Sequence, residues 1–204
     1  MKTLLRIDAS AQRAESHSRR LADHYETNWR QAHPGGRVIV RDLVTEPVPH
    51  LDEATVAVLY AGGDPGNGPV PSGIALSDTL IAELIAANDV VISSAVYNFN
   101  MASSLKAWVD HIVRFGQTIA YGEKGVTGLL TGRSVCLITA RGGNAQTSPD
   151  FQTPSLQATF GYLGFSRIDT ISLEGTKIPD ERLEERVAAA RLDIEALFEP
   201  AFAA

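Results

Sequence analysis

An α/β fold, a doubly wound parallel sheet with helices on both faces, is predicted by two observations. Short apolar runs alternate with segments of helical periodicity five times along the chain, the pattern of strand-helix-strand units in a parallel sheet. The runs are also continuously apolar, as in strands covered on both faces; Val90-Val91-Ile92 and Val135-Cys136-Leu137-Ile138 are the clearest.

The first strand is read over 3–7 and leads through Asp8-Ala9-Ser10 into a helix over 16–32, where Leu21, Tyr25 and Trp29 recur at i, i+4 and i+8. Pro34-Gly35-Gly36 ends that helix, and a second strand follows over 37–40. A proline-bearing connection, a short helix over 53–60 and a loop over 62–69 dense in glycine and proline come next. This loop reads either as a cover over a site or as a surface insertion. Ser72 is read as the cap of the next helix, whose Leu76, Leu80, Ile81, Leu84 and Ile85 face a core. The third strand begins at Val90, and Leu105, Trp108, Val109, Ile112 and Val113 mark the helix beyond it; there Trp108 is read as packing, Lys106 and His111 as solvated. A long loop over 116–132 follows, then a strand over 134–139, a helix over 156–163 and a strand over 166–173. The final helix is read from Pro179, with Leu183, Val187, Ala190, Ile194 and Leu197 on one face. Five strands suggest the order 2-1-3-4-5 of flavodoxin-like folds, in which strands 1 and 3 meet at the switch point and the loops that follow them converge.

The 204 residues, 44% of them hydrophobic, are read as a single domain over 1–204. No segment approaches the roughly 18 apolar residues of a membrane helix, and the first residues lack the regions of a signal peptide. A cytoplasmic protein with no membrane partner is therefore expected. The single cysteine, Cys136, sits in an apolar strand and agrees with a reducing compartment. A net charge of −6 with no basic block argues against nucleic acid as a partner, and no metal site is read.

Three strand-to-helix turns carry chemistry. Ser16 alone reads as a helix cap, but Ser10, Ser16 and Ser18 around one turn favour an anion at a helix N-terminus, with His17 or Arg19 as helper. No Gly-Lys-Ser occurs, and the stretch 8–18 holds no glycine, so a monophosphate such as that of FMN fits better than a triphosphate or a pyrophosphate. Val96-Tyr97-Asn98-Phe99-Asn100 offers two aromatic faces beside amide groups, which suits a flat heterocycle with a polar edge; the other reading makes the rings core and Asn98 a turn former. Ala140-Arg141-Gly142-Gly143 is either an ordinary turn or a place where glycines expose N–H groups to developing negative charge.

Ser10 with Ser16-His17-Ser18, Tyr97-Asn98-Phe99-Asn100, Gly116-Gln117-Thr118-Ile119-Ala120-Tyr121 and Arg141-Gly142-Gly143 together resemble the FMN-dependent NADH azoreductases, relatives of the NAD(P)H quinone reductases. The likeness runs from the first strand to the last helix. It implies a homodimer with two FMN sites at the subunit interface, and ping-pong two-electron reduction of quinones and azo dyes by NADH or NADPH. By this resemblance Ser10, Ser16, His17 and Ser18 hold the FMN phosphate, while Val96, Tyr97, Asn98, Phe99, Ala140, Arg141, Gly142 and Gly143 hold the isoalloxazine. Asn98, Ile119 and Tyr121 would outline the acceptor pocket, and either solvent or a loop residue such as Tyr121 could protonate the acceptor. The chain departs from the family's usual pattern at Ala95, Val96 and Ala140, where proline, methionine and serine are common, and at Ile119, where an aromatic is common. Hydride transfer needs no acid–base dyad, and none is visible. The alternative from another class is a flavodoxin-type electron carrier serving a protein partner; a third is a flavin-free regulatory protein.

Overall fold

The computed structural model of the chain describes residues 1–61, 66, 68–123, 125–178 and 181–199. In chain order its elements are β1 (Thr3–Asp8), α1 (His17–Ala32), β2 (Arg37–Asp42), α2 (Glu53–Tyr60), α3 (Ser72–Ala86), β3 (Asp89–Ala95), α4 (Ser103–Ile112), β4 (Ile119–Gly122), β5 (Gly125–Gly128), β6 (Ser134–Ala140), α5 (Gln152–Leu163), β7 (Arg167–Leu173) and α6 (Leu183–Ala196). The main sheet is parallel in the order β2-β1-β3-β6-β7, the expected 2-1-3-4-5 succession.

Successive strand residues point to opposite faces, and each face has its own core. Leu5, Ile7, Val90, Ile92, Val135 and Leu137 pack with α3, α4 and α5 through Leu80, Leu84, Leu105, Trp108 and Phe160. Leu4, Val91, Cys136 and Ile138 pack on the other side with Leu21, Tyr25 and Trp29 of α1 and Ala190 and Ile194 of α6. Burial raises the Cys136 thiol far above its usual range, as expected for an inert core residue.

Several expected boundaries move for local reasons. Pro71, fixed near φ −58 with extended ψ, occupies the cap position of α3, so Ser72 is its first helical residue and makes no side-chain cap. Helix α5 starts at Gln152, four residues before the expected start, because Pro154 falls in the first turn, where a missing N–H costs nothing, and Asp150 Oδ1 accepts Gln152 N (2.9 Å) and Thr153 N (3.1 Å). The described final helix begins at Leu183; Pro179 and much of the 62–69 segment lie outside the described residues. The 116–132 segment is not an open loop but contains the antiparallel hairpin β4-β5. Its base rests on the end of α5, where a Cβ at Gly128 would stand 2.2 Å from the backbone of Leu163 and Gly164. His111, read as solvated, is buried, its Nε2 lying 3.0 Å from Pro49 O, whereas Lys106 is exposed beside Asp110.

Candidate functional site

The loop after β1 rests on buried charge. Asp8 accepts Ser93 Oγ at 2.6 Å and Arg6 Nε at 3.0 Å. Arg19, in the first turn of α1, lies 3.6 Å from Asp8 and donates Nη1 and Nη2 to the two oxygens of Asp42, both at 2.9 Å. This fork-shaped pairing pulls the Asp42 carboxyl down to about 2. The remaining donors of Arg19, Nε and Nη2, reach Ser10 O at 3.2 and 2.9 Å. Arg19 is therefore not a direct anion ligand, because its guanidinium is spent within the protein.

The start of α1 adjoins this network. Ser16 caps α1, accepting Arg19 N at 3.4 Å and sharing a 3.1 Å hydrogen bond with Ser18 Oγ. His17 and Ser18 open the helix, so their N–H groups have no acceptor in the preceding turn and, with the helix dipole, favour an anion. Ser10 is buried, and among the described residues its hydroxyl has no partner. His17 is half-buried.

The aromatic turn leaves β3 at Val96, whose N–H donates to Ala140 O at 2.9 Å. Tyr97 and Asn100 exchange both backbone bonds, at 2.8 and 2.9 Å, around Asn98 and Phe99. Both central residues have positive φ, 47° and 71°, the conformation of a tight two-residue hairpin turn. For phenylalanine this backbone is strained; it is held by Phe151 N, which donates to Phe99 O at 2.8 Å. Tyr97 and Phe99 remain 38% and 50% exposed, so these rings are free to meet a ligand and are not core. Tyr97 Oη accepts Ala11 N at 3.1 Å, which ties this turn to the serine loop.

The glycine edge follows β6. The N–H groups of Thr176, Lys177 and Gly175 donate to the carbonyls of Arg141, Gly142 and Gly143 at 3.0, 3.2 and 2.7 Å. In a trans peptide the N–H points opposite to the preceding carbonyl. The amides of Gly142 and Gly143 are therefore turned away from the 175–177 segment, and no acceptor among the described residues takes them. Arg141 is buried and directs Nε and Nη2 to Glu174 Oε1, at 3.1 and 2.6 Å, and Nη1 to Ser148 O at 3.0 Å. Its charge braces the turn and is not aimed at a ligand.

Strands β1, β3 and β6 are neighbours, so these three turns share the carboxyl edge of the sheet, where ligands bind in open α/β folds. The expected pocket residues lie in different surroundings. Ile119 is buried in the core. Tyr121 is 70% exposed and lies tilted against Phe115, ring centroids 5.2 Å apart, lining a groove of about 480 Å³ with Leu51, Val56, Leu59, Tyr60 and Val113. Asn98 is exposed at the aromatic turn. Sequence reasoning missed the roles of Asp8, Asp42 and Glu174; the available signal was an aspartate ending each of two adjacent strands with an arginine in the helix between them.

A doubly wound five-stranded parallel sheet in this strand order defines the flavodoxin-like class, and residues 1–198 match the family model described as a flavodoxin-like fold. The chain belongs to this family, in the branch of its curated relatives called FMN-dependent NADH:quinone oxidoreductases. One, from Bordetella parapertussis, is 39% identical over 199 residues, covering 97% of this chain and 95% of the relative. Another, from Nostoc punctiforme, is 37% identical over 200 residues, covering 96% and 97%. Among solved structures, an azoreductase from Bacillus anthracis superposes with TM-score 0.85 at 21% identity, covering 97% of this chain and 99% of that one. An FMN-dependent NADH-azoreductase of the same species, in complex with FMN, gives 0.84 at 23% identity, covering 97% and 98%. At these identities the solved structures speak for the fold.

Proposed function

We propose that this protein is an FMN-dependent NAD(P)H oxidoreductase that reduces quinones and aromatic azo compounds by ping-pong two-electron transfer. The observation that carries the reading is the convergence of three kinds of donor and surface on one sheet edge. These are helix N-terminal amides with serine hydroxyls, two half-exposed aromatic rings, and two glycine amides without an acceptor among the described residues.

These residues fit FMN. His17 and Ser18 amides with the Ser10 and Ser16 hydroxyls suit a phosphate monoester, and the absence of glycine from 8–18 suits one phosphate better than two. Bound FMN supplies hydride acceptance from a nicotinamide and two-electron donation to a quinone or azo group. The chain's part is to bind and orient. Tyr97 and Phe99 offer faces to a flat ring, and Val96, Asn98 and Ala140 border it. The amides of Gly142 and Gly143 would stabilise negative charge that grows on a ring edge during reduction. Arg141, braced on Glu174, keeps those glycines in place.

A homodimer is part of this reading. Tyr60, Tyr121 and Phe115 are 89%, 70% and 44% exposed around the groove between α2, α4 and β4, a concentration of bare aromatic surface that marks an interaction face. A second copy seated there would bring its own surface toward Tyr121. The named relatives are oxidoreductases, which leaves the electron-carrier reading without support. Steady-state kinetics of the FMN-loaded protein with NADH and a benzoquinone tests the proposal. Parallel double-reciprocal lines are expected, and absence of turnover would overturn it.

A further inference from the structure

Arg19 contacts two structures at once without facing the ligand. Its side chain is 10% exposed, both oxygens of Asp42 hold its fork from one side, and Ser10 O receives Nε and Nη2 from the other. The Ser10 carbonyl belongs to the same peptide unit as the Ala11 N–H, and in a planar trans peptide these two groups point in opposite directions. Ala11 N–H donates to Tyr97 Oη at 3.1 Å. A continuous chain of hydrogen bonds therefore runs from Asp42 through Arg19 and the Ser10–Ala11 peptide to the hydroxyl of Tyr97.

This chain joins the ends of β2, β1 and β3, and its central peptide carries Ser10, one of the hydroxyls of the anion site. Hydrogen bonds in series polarise one another, and a charged donor on the carbonyl makes the N–H of the same peptide a better donor. Arg19 faces Asp8 and Asp42, Arg6 faces Asp8, Asp23 and Glu26, and Arg13 faces Asp42, so the positive charges of the network are matched by carboxylates. The network thus orients the loop without adding net positive charge to it.

We propose that Arg19 is a positioning residue which, through the Ser10–Ala11 peptide, makes the phosphate cradle and the ring-binding Tyr97 a single unit, so that the two halves of FMN are held cooperatively. This rests on the assignment of the site to FMN. Loss of Arg19 frees the peptide, and the hydroxyl of Tyr97 then loses its fixed partner. A merely structural Arg19 would instead weaken all flavins alike and act independently of Tyr97.

The test measures release of flavin from the holoprotein by fluorescence on dilution, for FMN and for riboflavin, which lacks the phosphate. The set is wild type, Arg19→Gln, Asp42→Asn, Tyr97→Phe and the double variant Arg19→Gln/Tyr97→Phe, with circular dichroism to confirm folding. Arg19→Gln is expected to weaken FMN about tenfold and riboflavin much less, and Tyr97→Phe should have little further effect in its background. Asp42→Asn, which keeps Arg19 but loosens its fork, should show a smaller shift in the same direction and supplies the answer if Arg19→Gln does not fold. Equal weakening of both flavins, or additive effects of Arg19→Gln and Tyr97→Phe, would overturn the proposal, as would an Asp42→Asn that leaves the FMN-to-riboflavin ratio unchanged. A wild type that holds riboflavin as well as FMN, or neither, would overturn the site assignment and the proposal with it.

Discussion

Buried Arg141 and half-buried Glu174 form a brace across the carboxyl edge of the sheet: Nε and Nη2 of the arginine converge on one glutamate oxygen at 3.1 and 2.6 Å, while the other glutamate oxygen accepts Ala145 N at 2.9 Å. The pair ties the turn after β6 to the end of β7, and the amides of Gly142 and Gly143 depend on that turn for their direction.

Removing the glutamate leaves a buried guanidinium with Ser148 O as its one acceptor among the described residues. Glu174→Ala should therefore destabilise the protein by about 1–3 kcal/mol and weaken flavin binding, with equilibrium urea unfolding as the measurement. An unchanged midpoint would mean that solvent replaces the carboxylate without loss.

The phosphate assignment makes a charge-specific prediction at Ser18. Ser18→Ala removes only the hydroxyl that meets Ser16 Oγ, whereas Ser18→Asp adds negative charge at the helix N-terminus where phosphate is placed. FMN retention on gel filtration should fall far more in the aspartate variant. Equal retention in the two variants would count against a phosphate there.

Acid should uncouple the loop after β1 in a defined range. The Asp42 carboxyl is lowered from 3.8 to about 2 by its hydrogen bonds to Arg19. Its stabilising contribution is then complete above about pH 4 and is lost as pH falls through about 2. The difference in urea midpoint between wild type and Asp42→Asn should be constant near neutrality and shrink to zero on acidification. A difference undiminished at pH 2 would show that the hydrogen bonds do not depend on the charge.

Tyr121 carries the proposal of a proton source at the acceptor. Its hydroxyl is exposed beside Phe115, and Tyr121→Phe keeps the stacking while deleting the proton. Slower reduction of an azo dye with an unchanged rate of reaction with NADH is expected; unchanged rates for every acceptor would remove Tyr121 from the reaction.

The sheet order was legible because buried parallel strands are apolar throughout and their helices carry one apolar stripe; Trp29, Trp108 and Phe160 sit where such stripes place them. That the three turns share one edge of the sheet was legible because each follows an apolar run at a strand's end and strands 1, 3 and 4 are neighbours in the expected order. The hairpin β4-β5 was not, because its strands are four residues long and bounded by glycine. Arg19 and Arg141 were legible as residues of these turns, but the direction of their side chains was not. Their orientation is set by Asp42 and Glu174, which are distant in sequence and carry no periodic signal. The burial of Ile119 was not legible either, because its place in the short strand β4 turns it into the core.

The central claim, that this fold carries a flavin through which a nicotinamide reduces a quinone, is tested most directly by an anaerobic visible spectrum of the FMN-loaded protein. The spectrum is followed during titration with NADH and then with a benzoquinone. Bleaching near one equivalent of NADH and recovery of the absorbance with quinone are predicted. A bound flavin that NADH leaves oxidised would contradict the account.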